Sequence, residues 1–203
     1  MEFSAVVLSG GENRRMGGFD KAFLVIDRSP IIEDTLSLLQ ADFPEIIIVT
    51  NSPDKYVHLK AKVVEDEIKG LGPLGGIYTG LKMMSNTAGL FVAVDMPFLN
   101  ADILRRLKDC FAEKKPACLI TRHQAGIEPL CSIYSRSILP LVEQCIQAGR
   151  LRLKDLLMEC DQKEFLDLEG NWDKIFFNLN SNDDWKKLRG KVNCKAEALP
   201  YIS

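Results

Sequence analysis

Unbroken apolar runs alternate with amphipathic stretches along this chain. Val6-Val7-Leu8, Glu45-Ile46-Ile47-Ile48-Val49-Thr50, Lys62-Val63-Val64, Leu90-Phe91-Val92-Ala93-Val94 and 117–121 read as strands. Apolar residues on successive positions, rather than alternate ones, predict strands covered on both faces, as central parallel strands are. Phe23-Leu24-Val25-Ile26 is a further short apolar run. Between the strands, helical spacing predicts helices over 30–40, 77–84, 101–112 and 139–147. Pro30 suits a first turn, which needs no N–H from it; Asn100 is placed to cap the third helix, and Gly149 to end the fourth. The alternation predicts an α/β fold, a mostly parallel central sheet with helices on both faces. No repeat or linker divides the chain, so 1–203 reads as one domain, ending in a loosely held tail over 191–203.

Polar residues recur where the apolar runs stop. Gly10 and Gly11 follow the first strand, Asn51 the second, Asp66 the third and Asp95 the Leu90 strand. In open α/β sheets ligands bind at the carboxyl edge, so parallel neighbours would bring these positions to one crevice. The first junction is the richest: Val6-Val7-Leu8-Ser9-Gly10-Gly11-Glu12-Asn13-Arg14-Arg15-Met16-Gly17-Gly18-Phe19-Asp20-Lys21. Two glycines let backbone N–H groups approach an anion, and Arg14, Arg15 and Lys21 add the positive charge that a polyphosphate needs. The spacing is not that of a P-loop, nor of the dinucleotide fingerprint G-x-G-x-x-G.

Composition narrows the chemistry further. A chain of 203 residues with 46% hydrophobic content and net charge −2 suits one globular body. It lacks the basic footprint of a nucleic-acid binder. No apolar segment reaches the ~18 residues of a membrane span, and the N-terminus reads as a strand, so the expected location is cytoplasmic. Cys110, Cys118, Cys131, Cys145, Cys160 and Cys194 form no C-x-x-C pair and read as free thiols. His58 and His123 are the two histidines, which supplies a zinc site or a His-based triad poorly. Catalysis is therefore expected from Asp, Lys, Arg, backbone amides and an oxygen-seeking metal.

Asp95, directly after an apolar strand and before Pro97, is the candidate Mg²⁺ ligand, since Mg²⁺ takes one or two carboxylates plus substrate phosphates. Taken alone, Glu65-Asp66-Glu67 reads equally as a solvated acidic turn, and Asn51 as a turn former before Pro53. Lys21 follows a cationic glycine-rich loop, which favours phosphate contact over an ordinary surface position. Arg150, Arg152 and Lys154 suit either a solvated helix entrance or contact with an anion.

Leu8-Ser9-Gly10-Gly11, Arg15-Met16-Gly17, Asp20-Lys21, Gly72-Pro73-Leu74-Gly75-Gly76, Asp95-Met96-Pro97-Phe98 and Phe177-Asn178-Leu179-Asn180 stand in this order along nearly the whole chain. In that order they resemble the motifs of the molybdenum cofactor guanylyltransferases, the MobA-like family. The resemblance implies a Rossmann-like nucleotidyltransferase fold, with a nucleotide-binding half over 1–100 and an acceptor-binding half over 101–190. It implies transfer of GMP from GTP to the phosphate of molybdopterin with Mg²⁺, releasing pyrophosphate. By motif position, Leu8, Ser9, Gly10, Gly11, Lys21, Asn51, Asp66 and Asp95 would bind nucleotide, Asp95 would also hold the metal, and Arg15, Lys21 and Asp95 would be catalytic. Gly75, Gly76, Pro129, Asn178 and Asn180 would meet the acceptor. The 126–134 segment would cross toward that acceptor and end in a strand. The amides of the closing motif would alternate off an apolar strand, and Ser181 or Asn182 would cap a helix through Arg189. Asn13 departs from the family pattern, where Ser is common, though an amide can also bond phosphate. Transient contact with molybdoenzyme maturation proteins is also implied. A cytidylyltransferase on the same pterin, a sugar-nucleotide pyrophosphorylase, and a non-catalytic nucleotide-binding adaptor remain alternatives to guanylyl transfer.

Overall fold

A computed structural model describes residues 2–10, 20–26, 28–170, 172, 174–179, 181 and 184. Strand β1 (Ser4–Ser9) is buried along its whole length and is the axis of the molecule. The tight turn Lys21–Phe23 follows, then the two-residue strands β2 (Val25–Ile26) and β3 (Ser29–Pro30), which pair as a small hairpin. Helix α1 (Ile31–Gln40), β4 (Glu45–Thr50), a turn at Pro53–Tyr56, β5 (Lys62–Glu65), α2 (Pro73–Met83) and β6 (Ala88–Ala93) complete the first half. The second half runs α3 (Ala101–Lys114), β7 (Cys118–His123), β8 (Gly126–Ser135), α4 (Leu139–Gln147), α5 (Leu153–Glu159) and β9 (Lys163–Asp167). Seven strands form one sheet in the order β5-β4-β1-β6-β8-β7-β9. Among the described strands of this sheet, β8 alone runs against the others.

Alternate residues of β1 face opposite layers, as strand geometry requires. Ala5 and Val7 pack with Ile32, Leu36 and Leu39 of α1 and Leu104, Leu107 and Phe111 of α3. Val6 and Leu8 pack with Ile77 and Leu81 of α2, Val142 of α4 and Leu156 and Leu157 of α5. Both faces are therefore covered, and the unbroken apolar runs are the imprint of that burial. Among the described residues no helix is long and apolar enough to cross a membrane. The five described cysteines are free thiols, and the Cys118 and Cys160 sulfurs lie 3.3 Å apart. Cys194 lies outside the described residues.

Several elements differ from expectation for identifiable reasons. Helix α2 begins at Pro73 rather than 77, so Gly75 and Gly76 lie inside a helix and not in a loop. Gly72 at φ +60° turns the chain in, and Pro73 occupies the first turn. The glycines are there for close packing: a Cβ on Gly76 would stand 3.0 Å from Leu8 Cδ2, and one on Gly80 2.6 Å from Phe91 Cε1. Pro30 pairs with Val25 as the last residue of β3, and α1 starts one residue later. The third helix runs two residues past 112, to a cap at Lys115 with φ 47°. Strand β8 covers the whole 126–135 span, and Pro129 falls where its register with β7 shifts. There the Thr121 hydroxyl donates to the Cys131 carbonyl, and the Ser132 hydroxyl accepts from Thr121 N–H and donates to the Glu128 carbonyl. Side chains thus satisfy the backbone that a proline-broken ladder leaves open. Residues 177–179 form no strand. Ser181 accepts from the Asp184 N–H at 3.1 Å, the bond a helix cap makes, and the expected helix through Arg189 lies outside the described residues.

Candidate active site

Strand register brings the polar junctions together. Ser9 is level with Thr50 and Thr50 with Glu65, while Leu8 is level with Ala93. Past the strand ends, Asp66 N–H still donates to the Thr50 carbonyl and Val94 N–H to the Leu8 carbonyl. Gly10, Asn51, Asp66 and Asp95 therefore line the carboxyl edge of four adjacent parallel strands. Gly10 is exposed, and a Cβ there would meet the Asn51 amide nitrogen at 3.6 Å. Gly11, Asn13 and Arg15, with the rest of 11–19, lie outside the described residues, as does Asn180.

Asp95 sits in the turn after β6 with Lys21 close by. Burial pushes its carboxyl above the ordinary carboxylate range, and the positive charge of Lys21 draws it partly back. Its backbone carbonyl accepts the Leu179 N–H at 2.9 Å, which docks the 174–179 segment onto the same turn. Phe98 and Phe177 meet across that junction with ring centroids 6.3 Å apart. Asn178 is half-buried there, next to the fully buried Leu179. Among the described residues no cluster of three metal-binding side chains exists. One carboxylate is too few to hold Mg²⁺ alone, but it fits an ion that arrives on a triphosphate and keeps phosphate and water ligands.

Asp66 is fixed from two directions. Thr79 of α2 donates to one of its oxygens at 2.9 Å, and the Ile68 backbone bonds it as well. Burial nevertheless raises its pKa. Its other oxygen would lie 3.2 Å from a Cβ on Gly75, so the bare helix face gives the carboxylate room. Leu8 is buried against Gly76, and its carbonyl is taken by Val94 N–H, so it forms the floor of this edge. Gly75 and Gly76 thus stand on the Asp66 and Leu8 side of the cleft. Pro129 lies on β8, whose Cys131 pairs with Val92 of β6. Its carbonyl accepts the Tyr134 hydroxyl at 2.8 Å. Arg150 pairs with Glu159, which ties one of the three basic residues of that stretch to α5.

Two residues at this edge carry no motif. Thr79 holds Asp66, and Tyr56, in the turn after β4, bonds both Ser9 and Asp20. The Tyr56 hydroxyl gives its single proton to the Asp20 carboxylate at 2.9 Å, so at 2.6 Å the Ser9 hydroxyl donates to Tyr56. Ser9 Oγ thereby spends its proton inside the protein. An aromatic residue in the polar run Ser52-Pro53-Asp54-Lys55-Tyr56 was the one sequence signal available.

The model of the MobA-like NTP transferase domain matches residues 5–163. The chain is 36% identical over 191 residues to the molybdenum cofactor guanylyltransferase of Syntrophotalea carbinolica, covering 92% of this chain and 90% of that one. The same fold occurs in molybdopterin-guanine dinucleotide biosynthesis protein A from Archaeoglobus fulgidus, with a TM-score of 0.80 at 24% identity, covering 93% of this chain and 98% of that one. It occurs again in Rv0371C of Mycobacterium tuberculosis H37Rv in complex with manganese, with a TM-score of 0.68 at 18% identity, covering 95% and 100%.

Proposed function

Because the chain belongs to the MobA-like NTP transferase family, we propose that it transfers GMP from GTP to the phosphate of molybdopterin, with Mg²⁺ as the metal. It is a nucleotidyltransferase. The guanine and pterin specificities are our reading, supported by the name of the S. carbinolica relative. The observation that carries the reading is the shared strand edge, where Gly10, Asn51, Asp66 and Asp95 converge and Lys21 reaches Asp95 electrostatically.

In this reading a molybdopterin phosphate oxygen attacks the α-phosphorus of GTP. The bond from that phosphorus to the oxygen bridging the β-phosphate breaks, and pyrophosphate leaves. A phosphate monoester is largely ionised near neutral pH, so no general base is required. What remains is positioning and charge stabilisation. Backbone N–H groups at Gly10 and Gly11 hold phosphate oxygens, Leu8 and Ser9 line the nucleotide pocket, and Arg15 and Lys21 stabilise negative charge growing on the leaving pyrophosphate. Asn51 and Asp66 present hydrogen-bonding groups to the nucleoside. Asp95 would hold the Mg²⁺, which would supply Lewis-acid charge neutralisation when bound. Gly75, Gly76, Pro129, Asn178 and Asn180 border the acceptor, with Asn178 brought near by the Leu179–Asp95 bond.

Pyrophosphate release on mixing the protein with GTP, Mg²⁺ and molybdopterin tests the reading. Release with GTP, and little with CTP or ATP, is the expected result. Release with CTP instead would make it a cytidylyltransferase, and release only with a sugar phosphate a pyrophosphorylase. GTP binding without release would leave a nucleotide-binding adaptor.

A further inference from the structure

The end of β1 and the residue before Lys21 meet one buried side chain. Tyr56 is fully buried, and its ring packs on Phe23 with centroids 5.0 Å apart. Packing alone needs only a phenyl ring. The hydroxyl adds a burden, because burial and the nearby Asp20 charge hold its pKa far above the ordinary phenol value. A buried hydroxyl beside a carboxylate is tolerated only when its hydrogen bonds are made. Here they are made to Ser9, the last residue of β1, to Asp20, the residue before Lys21, and to the Thr50 side chain at the end of β4. The first two flank the 10–19 segment in sequence.

We propose that the Tyr56 hydroxyl is a positioning group that ties the end of β1 to the turn that carries Lys21 and so sets Gly10 and Lys21 in place for the nucleotide phosphates. Asp20 transmits the constraint. One of its oxygens accepts from Tyr56, and the other accepts the Ala22 N–H at 3.2 Å, capping the turn that carries Lys21. The chain of contacts therefore runs from Ser9 through Tyr56 and Asp20 to the backbone of Lys21, whose charge acts on Asp95. Tyr56 itself need not touch substrate. The inference rests on Gly10 and Lys21 holding the phosphates in the proposed reaction.

Tyr56→Phe keeps the ring and removes the clamp. The expected result is a rise of roughly tenfold in KM for GTP, the scale of one hydrogen bond to a charged group, with KM for the acceptor unchanged. Ser9→Ala releases the loop from its other end and serves if the Phe variant folds poorly. The double variant should be no worse in KM than the worse single one, because both remove one device. A readout independent of activity is the rate of tryptic cleavage after Arg14 and Arg15 in the full chain, which should rise in either variant at unchanged resistance elsewhere. Wild-type KM for GTP in both variants would overturn the proposal, even if their melting temperatures fall. Faster cleavage with unchanged KM would also overturn it, since the clamp would then serve folding alone. Should the wild-type protein release no pyrophosphate from any nucleotide, the proposed reaction fails, and an unchanged tryptic rate would then sink the clamp separately.

Discussion

Asp95 is pulled in two directions. Its place at the strand end makes it available to a cation, and its burial makes the empty carboxylate costly. Its folded pKa lies above the unfolded value, so the unfolded state holds fewer protons between the two. The contribution to stability is fully present below the ordinary carboxylate range and is lost as pH rises through the raised value. Asp95→Asn should therefore raise the melting temperature of the metal-free protein at pH 7, and the gain should vanish as the pH falls below the ordinary carboxylate range. Thermal melts in EDTA across pH would check this. The same substitution should lower guanylyl transfer by roughly a hundredfold or more, as loss of a charge-stabilising group does. Lys21→Ala should cost a similar factor, while pyrophosphate release at near-normal rates would remove Lys21 from the mechanism. The place of Asp95 at the strand end could be read from the sequence because an acid after an apolar strand leaves a local mark. Tyr56 and Thr79 could not, since their importance lies in partners 36 and 13 residues away.

At the scale of elements, α2 shows how packing overrides local reading. Gly72-Pro73-Leu74-Gly75-Gly76 has loop composition, yet from Pro73 on it is helical, and its glycines stand where neighbours leave little space for a Cβ. Two effects oppose each other at Gly80. Alanine in a helix interior is favoured over glycine by about 1 kcal/mol. A Cβ there would lie 2.6 Å from Phe91 Cε1 and 2.7 Å from Val6 Cγ1, and Phe91 is held edge-on against Tyr134 at 5.4 Å. Neither neighbour has room to move, and overpacking costs about 1–3 kcal/mol. Gly80→Ala should consequently destabilise the protein, seen as a lower urea midpoint at unchanged slope. A higher midpoint would mean that Phe91 moves aside freely. Edge strand β9 left no comparable trace in the sequence: Lys163-Glu164-Phe165-Leu166-Asp167 neither alternates nor runs apolar, because it is only partly covered.

Across the whole molecule, the parallel core was legible because covering both faces of β1, β4 and β6 forces long apolar runs. The reversal of β8 was not, since strand direction depends on the connection and not on composition. That reversal brings Pro129 to the same edge as Gly10, Asn51, Asp66 and Asp95. The Leu179 N–H bond to the Asp95 carbonyl is the direct link between the β6 turn and the closing segment. A ligand that holds the Asp95 side chain also holds its backbone, and the segment bonded to that backbone opens less often. Saturating GTP with Mg²⁺ should therefore slow hydrogen exchange at the Leu179 amide, even though no acceptor is present. At a free concentration 100 times Kd the ligand would stabilise the folded chain by about 2.7 kcal/mol. Amides that exchange only by global unfolding would slow to that extent, and Leu179 would share in it if its opening releases the ligand. The same experiment on Asp95→Asn separates the routes: protection at Leu179 should disappear there while protection along β1 falls only partly. Unchanged exchange at Leu179 in the wild-type protein would mean that the nucleotide and acceptor sides bind independently.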